Sequence, residues 1–160
     1  MMGAALRWLV LGGVALAAVW MLWPNPQPMP AVSFTLTDGR LIQAAELRGS
    51  AVLVNFWSVS CNICLRDMPR LSALHEGLEH FTVIGVAAPY DPPPAVMETV
   101  NRLQPVYPVA LDVQGEIARA FGGVDSTPTS FLIDRDGNIQ YTERGALDEE
   151  RVRATVLTFR

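Results

Sequence analysis

The sequence feature that most constrains the fold is a buried strand followed at once by a cysteine pair and a helix. Residues 51–57 read AVLVNFW, an almost unbroken apolar run. Such a run is typical of a strand covered on both faces, in a parallel or mixed sheet flanked by helices. After a short connection come Cys61 and Cys64, and then apolar side chains three or four residues apart, which predict a helix. The two cysteines are therefore expected at a strand-to-helix junction.

The remaining sequence alternates strand and helix patterns, which favours an α/β fold. Further strands are predicted within residues 33–43 (a hairpin), 81–88, 107–111, 130–133 and 139–143. Further helices are predicted from Pro92 to about residue 104, over residues 115–121 and after Asp148. At 160 residues the chain is long enough for one domain with a proper core.

The N-terminal segment predicts a membrane anchor. Residues 8–23 carry no charge and, as a helix, would cover about 24 Å, close to the thickness of a hydrocarbon core. Close to this run, the only basic residue is Arg7, which precedes it, so the positive-inside rule places the following residues outside the cytoplasm. A cleaved signal peptide remains the alternative interpretation. We expect residues 1–23 to be the anchor, 24–31 a proline-rich linker and 32–160 the folded domain.

Charge and spacing argue against two kinds of ligand. The formal net charge of -4, without a clustered basic surface, argues against a nucleic-acid partner. The cysteines, His75 and His80 have a spacing close to that of a zinc finger. However, Cys64 and His75 on one helix would lie about 16 Å apart, too far for one metal ion. We therefore expect no metal, and both histidines are expected at a solvated helix end.

The cysteine pair itself predicts thiol-disulfide chemistry. Residues three apart in the first turn of a helix lie on one side, close enough to form a disulfide after a small adjustment. The unpaired N–H groups and positive dipole end of the helix stabilise a thiolate, which makes Cys61 the expected nucleophile. Cys64 begins the buried stripe of the helix and is expected to resolve the mixed disulfide. The predicted redox centre is the Cys61–Cys64 disulfide itself, and no separate cofactor is expected.

Several motifs together resemble a known family. The runs NFWSVSCNIC (residues 55–64), DMP (67–69) and GVDSTPTSFLID (123–134) resemble membrane-anchored thioredoxin-like disulfide reductases of the TlpA and ResA type. The resemblance implies a thioredoxin-like fold, in which a central mixed β-sheet is flanked by helices. It also implies an N-terminal β-hairpin extension and a helix-strand insertion, which fits residues 92–111.

The resemblance also implies roles for individual residues. Thr127 and Pro128 correspond to the cis-proline loop, which contacts substrate in the family. Trp57 is also expected to bind substrate. Asp67 stands where the family has an acidic residue, a candidate for proton transfer. Asn55 is a supporting residue beside the site.

Two departures from the family pattern lie at the cysteines. Ser60 replaces the usual aromatic residue before the first cysteine, and Asn62 and Ile63 replace a dipeptide that usually contains proline. This dipeptide tunes thiolate stability and redox potential. No histidine lies between the cysteines to stabilise the thiolate strongly, so the pair is expected to act as a reductant.

The predicted function is that of an extracytoplasmic thiol-disulfide oxidoreductase. It would reduce disulfides in cysteine-containing substrate proteins, for example in cytochrome c maturation. It would span the bacterial inner membrane once, with its domain on the periplasmic side. Electrons would come from a membrane thiol donor of the DsbD or CcdA kind. The alternatives are a disulfide oxidant or isomerase, a thiol peroxidase, and a copper chaperone. The motifs that the last two need are absent around Cys61.

Overall fold

The structure is a computed structural model that describes residues 26–159. The predicted membrane anchor, residues 1–23, lies outside the described residues. Within residues 26–159, no helix combines the length and the apolar character needed to cross a bilayer.

The described chain forms one mixed sheet with helices on both sides. In chain order the strands are β1 (Gln27–Pro28), β2 (Ser33–Leu36), β3 (Leu41–Gln43), β4 (Ala51–Trp57), β5 (Phe81–Ala87), β6 (Val109–Leu111), β7 (Thr129–Ile133) and β8 (Asn138–Arg144). The helices are α1 (Asn62–Gly77), α2 (Pro93–Leu103), α3 (Glu116–Ala120) and α4 (Glu149–Val156), and a short 3-10 helix spans Ala44–Leu47. The predicted strands and helices are confirmed, with bounds that differ by a few residues.

The strands lie in the order β1-β8-β7-β4-β5-β6-β2-β3. β4, β5 and β6 run parallel, and the other neighbouring strands pair antiparallel. The predicted helix-strand insertion is present as α2 and β6, and β6 joins β5 to the N-terminal β2–β3 hairpin. Because β4 is central and both faces are covered, every residue of this strand is buried.

The two faces of the sheet carry separate cores. On the α1 face, Leu53 and Trp57 of β4 pack with residues of α1, α2 and α4. On the α3 face, Val54 and Phe56 pack with residues of α3 and the 3-10 helix. Alternate residues of one strand point to opposite faces, so β4 supplies both cores at once.

The N-terminal edge of the sheet differs from the prediction. Gln27 and Pro28 pair with β8, and the Met29 N–H donates to the Gly137 carbonyl at 2.8 Å. Sheet pairing therefore begins inside the segment predicted as a linker, ahead of the expected boundary at residue 32. An edge strand tolerates proline because one side of it needs no ladder hydrogen bonds.

Candidate active site at the start of helix α1

Cys61 and Cys64 form a disulfide across the start of α1, with their Cα atoms 5.2 Å apart. Cys61 is the N-cap residue, one position before the helical turn in which the sequence placed it. The Cys64 N–H donates to the Cys61 sulfur at 3.2 Å. An N-cap side chain normally accepts such a bond, and here the acceptor is the reactive sulfur. The same N–H and the positive end of α1 would stabilise a Cys61 thiolate.

The two cysteines differ in exposure. The Cys64 side chain is 2% exposed and packs into the core of the α1 face, whereas Cys61 is partly exposed. A protein substrate can therefore reach the sulfur of Cys61 but not that of Cys64. This difference would suit Cys61 to the role of the attacking thiol and Cys64 to that of the resolving thiol.

The peptide bond between Thr127 and Pro128 is cis, as the family resemblance implies. Thr129, the next residue, pairs with Phe56 of β4, so the cis-proline loop lies at the same end of the sheet as the cysteines. The Pro128 carbonyl accepts the Gly145 N–H at 2.8 Å, and Pro128 is buried. Thr127 remains partly exposed beside the site. The hydrogen bond to Gly145 thus fixes the loop on its buried side, and Thr127 stays accessible to a substrate.

Trp57 does not fit the substrate-binding role that the resemblance suggested. Its side chain is 1% exposed and lies in the core of the α1 face. A Cβ atom on Gly85 would lie 3.3 Å from the Trp57 indole nitrogen and 3.1 Å from the Tyr107 ring. These aromatic side chains therefore pack across a position where glycine leaves room. Trp57 supports the site from beneath and cannot contact a substrate in this arrangement.

Asn55 makes a buried cross-strand contact. Its side-chain amide donates to the Ser130 hydroxyl at 2.9 Å, and the two residues are register partners on β4 and β7. Because Ser130 follows the cis-proline by two residues, this bond fastens the start of β7 to the strand that leads to Cys61.

Asp67 lies one helical turn after Cys64 and is 6% exposed. Its carboxylate accepts bonds from the Arg70 guanidinium at 3.1 Å and from the Leu147 N–H at 3.3 Å. Residues three apart on a helix share a face, so Asp67 lies on the side of α1 that buries Cys64. Burial, together with the negative charge of Asp67, raises the pKa of Tyr107. The candidate acid-base group is thus enclosed, paired and close to the resolving cysteine.

The dipeptide between the cysteines faces outward. Asn62 and Ile63 are the first two residues of α1 and both are exposed, Ile63 by 38%. They are therefore positioned to meet a docked substrate, in addition to affecting the cysteines through the backbone.

A buried carboxylate that the sequence analysis did not single out also borders the site. Asp91 follows β5 and is 8% exposed. It accepts the Ser58 hydroxyl at 3.0 Å and the Val59 N–H at 2.8 Å. The available signal was its position, since the carboxyl ends of the parallel strands β4 and β5 meet at one edge of the sheet.

His75 lies in the last turn of α1, as predicted, but it is only partly exposed. Its Nδ1 accepts the Val83 N–H at 3.2 Å, and its ring lies 6.5 Å from that of Tyr107. Burial lowers the pKa of His75. His75 therefore satisfies a backbone group at the start of β5 as a neutral side chain. Within residues 26–159, no group of three or more His, Cys, Asp or Glu residues is placed to hold a metal ion.

Comparison with known proteins agrees with this geometry. The Redoxin family model matches residues 24–157. The thiol-disulfide oxidoreductase ResA of Bacillus thuringiensis subsp. konkukian is 34% identical over 125 residues, which cover 76% of this chain and 72% of the relative. ResA of Geobacillus thermodenitrificans is 30% identical over 131 residues, 77% of this chain and 72% of the relative.

A solved structure gives the same assignment. The thiol:disulfide interchange protein of the thioredoxin family from Chlorobium tepidum superposes with a TM-score of 0.74 at 29% identity, covering 82% of this chain and 97% of that protein. The fold is therefore thioredoxin-like, and the disulfide lies where a dithiol of this fold can react. The chain belongs to the Redoxin family and is a ResA-like thiol-disulfide oxidoreductase with a Cys61–Cys64 redox pair.

Proposed function

We propose that this chain reduces disulfide bonds of cysteine-containing proteins outside the cytoplasm. The observation that carries the proposal is the asymmetry of the pair: Cys61 is accessible at the N-cap of α1, and Cys64 is buried behind it. A reductant of proteins needs one sulfur that meets the substrate and a second that is protected until the mixed disulfide has formed.

The proposed reaction transfers two electrons from the dithiol to the substrate. The Cys61 thiolate attacks one sulfur of the substrate disulfide, and the other substrate sulfur leaves as a thiolate and takes up a proton. Cys64 then loses its proton and attacks the Cys61 sulfur, which releases the reduced substrate and leaves the Cys61–Cys64 disulfide. We assign removal of the Cys64 proton to Asp67, which lies one helical turn away on the same face.

The surroundings of Cys61 favour reduction over oxidation. A strong disulfide oxidant stabilises its thiolate, and hence its reduced form, much more than a reductant does. Here the helix start and the Cys64 N–H stabilise the thiolate, while the intervening Asn62 and Ile63 are uncharged. Asp91, a buried acidic residue, is bonded to the connection just before Cys61.

The potential of the pair tests the direction of electron flow. The wild-type chain is equilibrated with glutathione redox buffers and its dithiol fraction is measured. A value near about -270 mV, as in thioredoxin, is expected, whereas a value near about -120 mV would identify an oxidant and overturn the proposal.

Trapping tests the assignment of the nucleophile. A Cys64→Ser variant should accumulate mixed disulfides with substrate proteins through Cys61. The matched Cys61→Ser variant should accumulate none, because its remaining thiol is buried. Equal trapping by both variants would contradict the assigned order of attack.

We further propose that residues 1–23 anchor the chain in the bacterial inner membrane with the domain on the periplasmic side. The uncharged run at residues 8–23 and the position of Arg7 support this. The full chain should stay with membranes after an alkaline wash, and protease added to spheroplasts should digest its domain. Recovery of a shortened, soluble chain would instead support a cleaved signal peptide.

An apocytochrome c is the substrate that we propose, with electrons resupplied by a membrane thiol donor of the DsbD or CcdA kind. The reduced chain should reduce an oxidised peptide with the haem-attachment pattern Cys-x-x-Cys-His faster than a matched peptide with scrambled flanking residues. If the two peptides were reduced at equal rates, the chain would be a general disulfide reductant and the assignment of apocytochrome c as its substrate would be wrong.

A further inference from the structure

Among residues 26–159, Asp91 is a buried carboxylate without a cationic partner. Its two oxygens accept the Ser58 hydroxyl at 3.0 Å and the Val59 N–H at 2.8 Å, and both donors are neutral. The ion pairs within residues 26–159 involve other acidic residues, among them Asp67 with Arg70. Asp67 and Asp91 therefore flank the cysteines as one paired and one unpaired negative charge.

The contacts of Asp91 continue to Cys61 through a single residue. The Ser58 hydroxyl, bonded to Asp91, also lies 2.9 Å from the Ser60 hydroxyl and accepts the Ser60 N–H at 3.2 Å. The Ser58 carbonyl accepts the Cys61 N–H at 3.1 Å. Ser58 is thus held by Asp91 on one side and holds Cys61 on the other. Ser60, which replaces the aromatic residue usual in the family, belongs to the same hydrogen-bonded group.

The turn that carries Asp91 is itself fixed to the end of β4. The Ala88 N–H donates to the Trp57 carbonyl at 2.8 Å, and the Asp91 N–H donates to the Ala88 carbonyl at 3.0 Å. Three prolines follow Asp91, and α2 starts at the second of them. Proline restricts its own backbone angle and the backbone of the residue before it, so the main chain at Asp91 has little freedom.

We propose that Asp91 is a positioning residue that holds residues 58–60 in place and whose negative charge makes the Cys61–Cys64 pair more reducing. The physical reason is that a buried negative charge near Cys61 opposes formation of a second negative charge on its sulfur. Asp91 thereby counteracts the start of α1, which stabilises the same thiolate. The inference rests on the proposed function only in taking Cys61 as the attacking thiol.

The decisive variant is Asp91→Asn, which removes the charge and keeps the shape. The midpoint of the pH dependence of Cys61 alkylation should fall by about one unit. The dithiol form should gain stability against glutathione by up to about tenfold, equivalent to about 30 mV in the oxidising direction. The titratable side chains Asp67, Tyr90, Tyr107 and Asp125, on α1 and on the surrounding loops, are unchanged in this variant.

Asp112→Asn is the matched control. Asp112 is also buried and accepts two N–H groups, from Ile117 at 3.0 Å and Ala118 at 2.8 Å, at the start of α3. It makes no hydrogen bond to residues 58–60 in the described structure. This variant should lose stability to a similar extent as Asp91→Asn, and its Cys61 titration and potential should match those of the wild type.

Ser58→Ala separates charge from positioning. It keeps the Asp91 carboxylate but removes a hydrogen bond that disperses its charge, so the alkylation midpoint should rise by a few tenths of a unit. A merely structural role would move both variants in the same direction, whereas the proposal requires opposite directions. If Asp91→Asn does not fold, the rise in Ser58→Ala still decides, and its absence overturns the proposal.

An unchanged or raised midpoint in folded Asp91→Asn also overturns the role of Asp91. This outcome is distinct from failure of the reductant assignment. The reductant assignment depends on the absolute potential of the wild-type chain. The role of Asp91 depends on the difference in alkylation midpoint between the variant and the wild type.

Discussion

The two faces of the sheet differ in the side chains that they bury. The α1 face holds the chemistry, with Cys64 and Asp67 buried among apolar side chains. The α3 face is dominated by hydrocarbon and aromatic side chains, including three phenylalanines packed edge to face. Their ring centroids lie 4.9 to 5.8 Å apart, between Phe56, Phe121 and Phe131.

The difference indicates how the fold tolerates a reactive site in its core. Buried polar atoms cost free energy unless they are bonded, and on the α1 face the Trp57 indole nitrogen and the Tyr107 hydroxyl have no hydrogen-bond partner among residues 26–159. Apolar packing on the opposite face can offset that cost. Substitutions on the α3 face should therefore change stability alone, and substitutions on the α1 face should change reactivity as well.

The largest expected effect on stability comes from Phe131→Ala on the α3 face. Phe131 is buried on β7 and contacts both other phenylalanines, so its truncation leaves a cavity. The unfolding free energy should fall by about 3 to 5 kcal/mol. Urea denaturation of the oxidised protein measures this loss.

The reduction potential of folded Phe131→Ala provides the second measurement. It should equal that of the wild type, because the cysteines lie against the other face. A changed potential would show that the two faces are not separate in function.

Asp67→Asn is the counterpart on the α1 face. The amide can still accept the Leu147 N–H but loses its charged bond to Arg70, which should cost about 1 to 2 kcal/mol of stability. Release of reduced substrate from the mixed disulfide should slow at least tenfold, because Cys64 loses its proton acceptor.

Rapid-mixing kinetics on a preformed mixed disulfide resolve this step. Arg70→Gln serves as the control, since it breaks the same ion pair while keeping the carboxylate. If Asp67→Asn releases substrate as fast as the wild type, Asp67 has only a structural role.

Sequence patterns predict local features of this protein well. The run at residues 51–57 and the spacing after Cys64 predict β4 and α1, because burial periodicity is a property of each segment by itself. The cis bond before Pro128 required the family resemblance, since most bonds that precede proline are trans.

Contacts between distant segments were not predictable in the same way. β1 depends on Gln27 meeting Ile139, and its prolines suggest only an extended chain. The bond between Asp91 and Ser58 arises once β4 and β5 pair in parallel, and the bond from Val83 to His75 requires α1 to pack on β5. These partners become adjacent only through tertiary structure, which no local pattern encodes.

His75→Gln tests a partly buried titratable group of the α1 face. Burial lowers the pKa of folded His75 below the unfolded value of about 6.5, so the unfolded chain binds this proton more tightly. The contribution of neutral His75 is therefore present above that value and is lost as the pH falls through it. Protonation also places a hydrogen on the Nδ1 atom that accepts the Val83 N–H.

Unfolding free energies at pH 7 and pH 5 measure this linkage. The wild type should lose more stability than His75→Gln over this interval, because glutamine does not titrate. All other ionisable groups are the same in the two proteins, so their contributions cancel in the difference. If the stability of both proteins changed equally between pH 7 and pH 5, folding would not lower the pKa of His75.

The smallest expected effect is that of Tyr107→Phe. The Tyr107 hydroxyl is buried without a hydrogen-bond partner among residues 26–159, and its neighbours include the packed Trp57. Removing an unsatisfied hydroxyl while keeping the ring should leave the unfolding free energy unchanged or raise it by up to about 1 kcal/mol. Urea denaturation at pH 7 measures this change. A loss of 1 kcal/mol or more would show that the hydroxyl is bonded in solution. Polar atoms of the α1 face would then contribute to stability, and the contrast between the two faces would be weaker than the structure indicates.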